Sequence, residues 1–199
     1  MMKREAIVIA FLTFFFSVSG IVVDRYLSHK SDQDLFFLKQ TREVRIRSYA
    51  RLMGLKLPLV QAIQTHLEAK MLAEFYEARY LRLTHRSEDI QEAKKQYDRA
   101  LALIPEISRL MRDLFETLGE VQVAYKIDDQ LSTRIDALYH FRGGDIQFPD
   151  KGIIHTEADL NALWMEPTKK QIQEYLKVEF LDRFEALLPL LLIQNKTEQ

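Results

Sequence analysis

The chain has 199 residues, 28 basic and 29 acidic side chains, a formal net charge of −1 and no cysteine. A balance so near neutrality gives no general attraction for nucleic acid, and the missing thiols exclude disulfides, thiolate metal sites and a cysteine nucleophile. Six glycines and five prolines leave little room for loops or low complexity, so the composition predicts an all-α chain with one domain and a sizeable core.

The first element is the stretch Ala6 to Val23, AIVIAFLTFFFSVSGIVV, eighteen residues without a charge behind Lys3 and Arg4. As a helix it rises about 27 Å, close to the ~30 Å hydrocarbon core of a bilayer. Twelve of its residues are Ile, Val, Phe or Leu. At roughly −0.3 to −0.6 kcal/mol each they favour insertion by about 4–7 kcal/mol. The reading is a single transmembrane anchor over 6–23, with Ala6, Phe11, Phe14, Phe15 and Val23 among its lipid-facing candidates and residues 1–5 as a cytoplasmic tail. The alternative is a cleaved signal peptide, with Ile7–Phe16 as its apolar region and Ser17-Val18-Ser19 as the small-residue site before Gly20. Against cleavage there, apolar character continues through Ile21, Val22 and Val23.

The flanks orient the segment. Lys3 and Arg4 precede it, whereas Asp24, Asp32 and Asp34 outnumber Arg25 and Lys30 just after it, which places the N-terminus in the cytoplasm and the remainder on the outer, periplasm-like side. The stretch 24–33 reads as juxtamembrane helix, with Arg25 and Tyr26 at headgroup level, breaking near Ser31-Asp32-Gln33.

The predicted bundle domain spans 34–199. Its first helix runs about 34–53 and stops at Gly54. Arg42, Arg45, Arg47 and Arg51 on it are a candidate basic patch for anionic lipid or an acidic partner, or else a solvated surface with pairs such as Glu43 to Arg47. A second helix opens at Pro58 and runs to Thr84, with Val60, Ile63, Leu67, Met71, Phe75 and Ala78 on one face. Ser87 is the expected cap of a third, long helix. There Ile90, Ala93, Tyr97, Leu101, Ile104, Ile107, Met111, Leu114, Leu118, Val121 and Tyr125 keep a mean spacing of about 3.5, the period of a left-handed bundle seam. Pro105 falls inside without shifting that phase, so one kinked helix is predicted. The run EAKKQYDRALALIPE within it resembles the second helix of a tetratricopeptide repeat, through Ala93, Tyr97, Ala100 and Pro105. The resemblance spans about fifteen residues, and 34 residues later no second copy follows, so it implies shared helix-packing chemistry and no repeat array.

A shorter helix is predicted over 130–141, stopping at Gly143-Gly144. The following DIQFPDKGIIHT centres on the turn Pro149-Asp150-Lys151-Gly152, and its flanks allow a small β-hairpin over 145–156 or a plain loop. Thr156 with Asp159 reads as a capping box for a helix over 157–165. The last helix follows Pro167 and runs to about Ile193, with Ile172, Leu176, Phe180, Phe184, Leu187 and Leu191 as its stripe. Its end, LLPLLLI, is too short to span a bilayer. Leu187, Leu188, Leu190, Leu191 and Ile193 are therefore either a buried terminus or a partner contact. Phe148 and Trp164 are further contact candidates, with plugging of the bundle end as the plainer role of Trp164.

The reactive motifs are missing. No histidine opens HExxH or closes ExxH, and there is no G-x-S-x-G, Walker loop or G-x-G-x-x-G. Asp136 and His140 share a helix face but make only one metal corner, and the pairs Glu116/Glu120 and Glu74/Glu77 fit solvated faces. The expectation is a non-enzymatic chain without metal or cofactor: an N-terminal anchor followed by an elongated antiparallel helical bundle. It would act as a scaffold or accessory subunit of a membrane-associated assembly, with lipid and protein partners, no nucleic acid and self-association allowed. The alternative expectation is a ligand-sensing helical ectodomain that signals through a membrane partner.

Overall fold

The computed structural model describes the backbone of residues 2–141 and 146–197 and the side chains of residues 36–141 and 146–194. The chain divides into two compact units, Met1–Val44 and Arg45–Gln199. Every described element is helical: α1 (Met2–Arg79), α2 (Ser87–Ala124), α3 (Asp129–Tyr139), α4 (Glu157–Asp159), α5 (Glu166–Tyr175) and α6 (Asp182–Thr197). Wide π-type turns close α1 (Tyr80–Thr84), join α4 to α5 (Leu160–Met165) and join α5 to α6 (Leu176–Leu181), so the backbone is helical throughout from Glu157 to Thr197.

In the first unit the described side chains begin at Phe36. Phe36, Phe37 and Leu38 are exposed, and the two phenyl rings meet edge to face at 6.5 Å. The candidate anchor residues Ala6, Phe11, Phe14, Phe15 and Val23 lie outside the residues whose side chains are described. Among the described residues no helix is long and apolar enough to cross a membrane.

The predicted interruption at Gly54 and Pro58 does not occur, because both lie inside α1. An interior Gly costs about 1 kcal/mol and an interior Pro about 3. Leu52, Leu59 and Ile63 flank them fully buried, and burial of each such side chain is worth about 1.5–3 kcal/mol, which outweighs that cost. The break expected at 31–33 is likewise helical backbone.

In the second unit, α1 and α2 form a long antiparallel hairpin. Arg45 meets Ala124, His66 meets Ala100 and Arg79 meets Asp89, so low numbers on α1 face high numbers on α2. Pro105 lies within α2, as the unbroken phase of its stripe predicts. The stripe itself needs a correction in its first half. Leu114, Leu118, Val121 and Tyr125 are buried as expected, but Ile90, Tyr97, Leu101 and Ile104 are 40–53% exposed. There α2 turns its small residues inward: Ala93 and Ala100 are buried, and the Ala100 carbonyl lies 2.8 Å from His66 Nδ1. The physical reason is coverage. The last residue of α3, Tyr139, lies against Phe115 of α2 with rings 5.4 Å apart, and α3 ends there, short of the exposed line from Ile90 to Ile104. Because Ala100 is 1% exposed at this close approach, Ala100→Leu is expected to cost about 1–3 kcal/mol by overpacking. Thermal unfolding of the full chain followed by circular dichroism measures it.

The C-terminal helical run lies antiparallel to α1, with Glu157 beside Arg79 and Glu185 beside Lys56. The predicted apolar line is buried in full, from Ile172 through Leu176, Phe180, Phe184 and Leu187 to Leu191. Pro167 does not separate two helices here. It falls in the first turn of α5, directly after the π-type turn, where the ladder is already rearranged and a missing N–H is tolerated.

Candidate functional site

The loop from Ile146 to Thr156 and the helices it rests on gather the largest set of chemically distinctive side chains. Trp164 is fully buried, and its Nε1 donates to the Pro149 carbonyl at 3.0 Å. Phe148 lies over it with ring centroids 6.0 Å apart, and the Lys70 ammonium sits 6.0 Å from the Phe148 ring centre. Gln171 Nε2 donates to the Gln147 carbonyl at 3.2 Å. Among the described residues 146–156 no strand forms, which corrects the hairpin option: a 3-10 turn spans Lys151–Ile153 instead. The reason lies in those side-chain donors. Trp164 and Gln171 serve carbonyls that a cross-strand partner would otherwise have to satisfy, while Asp150 caps the turn by accepting from Gly152 N at 2.9 Å.

Lys151 fastens the loop to α1, with Nζ at 2.5 Å from both Glu74 Oε2 and Glu77 Oε2. Partial burial works against its ammonium, but the hydrogen bonds and charges of Glu74 and Glu77 outweigh this and hold the Lys151 pKa above its ordinary value. A pKa raised on folding gives stability that is complete below the unfolded value near 10.5 and is lost as pH rises through the folded value. The clamp is therefore intact at neutral pH and opens only at strong alkalinity. Since all three side chains are a quarter to a half exposed, its worth is below about 1 kcal/mol. Trp164 is the sole tryptophan. Its fluorescence is expected to change in a transition above pH 10.5 that Lys151→Met abolishes.

The far end of the hairpin holds a second polar cluster. Asp89 is 6% exposed and accepts from the Thr84 hydroxyl, with Arg79 Nη1 at 3.6 Å; Arg79 Nη2 reaches Glu157 at 3.2 Å. Three elements meet there: the end of α1, the start of α2 and the start of α4. His85, with φ of 51°, makes the turn between the first two. α4 has the predicted capping box: Asp159 N donates to Thr156 Oγ1 at 3.1 Å, and His155 N donates to Asp159 Oδ2 at 3.2 Å. A hydrogen bond from the Thr156 hydroxyl to the Asp159 carboxylate, with the His155 and Thr156 backbone donors beside it, holds that carboxyl below its usual range.

The arginines of the candidate basic patch have different surroundings within their own units. Arg42 is exposed in the first unit. Arg45 is 8% exposed, donates from Nε to the Ala124 carbonyl at 2.6 Å and lies 5.2 Å from the centre of the Tyr125 ring. Arg51 bonds Glu120 at 2.7 Å, and Arg47 stands 3.9 Å from the same carboxylate. Of the terminal apolar run, Leu187 and Leu191 are fully buried, Leu188 and Leu190 are half-buried, and Ile193, with neighbouring Leu192, is exposed. Trp164 is buried and Phe148 half-buried, so any contact through this pair falls to Phe148. Glu116 is exposed and apart from the Glu120 pairing, and His140 Nδ1 lies 2.7 Å from the Asp136 carbonyl and not from its carboxylate. Among the described residues no three His, Asp or Glu side chains are placed to hold a metal ion.

Sequence reasoning missed the structural roles of Arg45, Asp89 and Lys151. Those of Arg45 and Lys151 are created by partners far along the chain, whereas Asp89 is held by nearby Thr84 and Arg79 and, two residues inside a predicted helix start, carried a local signal. A groove of about 740 Å³ beside the loop is lined by Ile146, Pro167, Lys170, Tyr175 and Val178, among others. Comparison with family models, with curated proteins and with solved structures finds no match to the chain.

Proposed function

We propose that the chain is a membrane-anchored helical scaffold or accessory subunit, with its N-terminus in the cytoplasm and its folded unit on the outer side. The observation that carries this reading is the uncharged stretch 6–23, which shares one continuous run of helical backbone, α1, with the first helix of the folded unit. Its length and apolar content suit a bilayer, and the charges flanking it suit this orientation. A non-enzymatic role is supported by the use of the buried polar groups. Arg45, Asp89, Thr117 and Thr168 are each engaged in bonds within the fold, so none of them is poised as a nucleophile or a general base. Anchoring confines the folded unit to two dimensions and raises its effective concentration toward neighbouring partners.

The test is affinity purification of the full chain from detergent-solubilised membranes. The scaffold reading expects stoichiometric partners that are lost with Leu192→Glu and Ile193→Glu, the exposed end of the terminal run. Recovery of the chain alone, with or without these changes, contradicts it.

The second reading, a ligand-sensing ectodomain, is favoured by the groove along α5. It expects the purified full chain to gain thermal stability with a small molecule in the absence of any partner. Replacing Val178 by Arg should remove that gain.

A further inference from the structure

The outward line of α1 within the second unit is apolar for four turns, and nothing described packs on it. Ile46, Met53 and Leu57 are 55%, 46% and 64% exposed, Ala50 between them is exposed, and half-buried Val60 ends the line. Positions 46, 50, 53, 57 and 60 advance by four, three, four and three, the spacing of a coiled-coil seam. The unit does not need this line for its own core, since Arg45, Ser48, Leu52, Leu59 and Ile63 already fill the inner face of α1. We propose that α1 pairs with the α1 of a second copy, parallel and in register, through Ile46, Ala50, Met53, Leu57 and Val60.

The flanking positions suit that partner. In a parallel pair Tyr49 falls opposite Gly54 of the other copy and Lys56 opposite Gln61, and the one like-charge contact beside the seam is Arg47 with Arg42 of the other copy, at its N-terminal end. A Cβ built on Gly54 meets nothing within 4 Å, which leaves room for the Tyr49 ring to lie close. The other exposed line, on α2, is a poorer seam because Lys94 interrupts it between Ile90 and Tyr97 and Ser108 takes the heptad position after Ile104. Parallel orientation rests on the anchor reading, which places both N-termini in one bilayer. The area argues the same way. A seam only about 21 Å long is short for a freely diffusing dimer, which buries at least ~1,200 Å², so confinement in the membrane is what makes the pair stable.

The absence of native cysteine makes the test direct. Full-length Ile46→Cys, Leu57→Cys and Tyr97→Cys variants are oxidised in washed membranes, and disulfide-linked dimer is measured. These three positions are exposed, so the fold tolerates the change. The proposal expects Ile46→Cys and Leu57→Cys each to give at least about fivefold more dimer than Tyr97→Cys, because only seam positions bring the Cα atoms within disulfide reach. Membrane-retained protein in which neither exceeds Tyr97→Cys overturns the pairing and leaves the anchor standing. Dimer formed only when the Ile46→Cys and Leu57→Cys chains are mixed shows an antiparallel pair and overturns it too. Protein found in the soluble fraction removes the anchor, and the parallel pairing falls with it.

Discussion

Trp164→Ala is expected to lower stability by about 3–5 kcal/mol, because it empties a fully buried site of the largest side chain in the core. Two effects add. Truncation leaves a cavity under Phe148, and it also removes the only described donor to the Pro149 carbonyl, 3.0 Å from the indole nitrogen. For a domain of this size each kcal/mol shifts the melting point by about 2–4 °C, so a fall of roughly 6–20 °C is expected. Trp164→Phe separates the two effects. It keeps most of the ring and loses only the donor, which predicts a cost of about 1–3 kcal/mol. Both are read by circular dichroism of the full chain. Equal losses in the two variants would mean that the hydrogen bond, and not the packed ring, holds the loop.

On the proposed anchor, placing two lysines in the apolar stretch, Phe11→Lys with Phe14→Lys, is expected to release the protein from the membrane. Each lysine near the middle of a bilayer costs about 2.5–3.5 kcal/mol and each lost phenylalanine about 0.3–0.6, for a total near 6–8 kcal/mol. That exceeds or cancels the roughly 4–7 kcal/mol by which the apolar residues favour insertion. The expected result is transfer from the membrane pellet to the soluble fraction, or failed insertion with degradation. Arg47→Ser, which alters the charge of an exposed surface in the second unit, should leave the partition unchanged.

The parts of the fold that were readable in the sequence are those set by short-range periodicity. The stripe from Ile172 to Leu191 was legible because a single face of one helix meets neighbours along its full length, and all six residues are buried. Val121 and Leu118 followed from the same rule on α2. The rule failed for Ile90, Tyr97, Leu101 and Ile104 because periodicity shows that an apolar face exists and says nothing about whether another element reaches it. Gly54 and Pro58 misled for a different reason: helix-ending signals are local, and the burial of Leu52 and Leu59 that overrides them comes from other segments.

The candidate sites were less legible. Arg45 reads in the sequence as one of four surface arginines, yet it is bonded to a carbonyl 79 positions away. The Lys151 clamp joins residues separated by about 75 positions, and no spacing rule connects them. Trp164 was recognisable as a plug from its size and its place after a turn-rich loop, though its partner Pro149 was not. The anchor stands as a proposal that rests on the sequence alone, since membrane insertion depends on one contiguous segment and needs no tertiary contact.

Retention of the folded unit by residues 6–23 is decided by the intact mass of the protein recovered from alkali-washed membranes. The anchor reading expects a membrane-bound species that retains the N-terminal segment, with a mass close to the 23.5 kDa of the full chain. A soluble species beginning at Gly20 would contradict it, and with it the scaffold held at a membrane and the parallel pairing of α1.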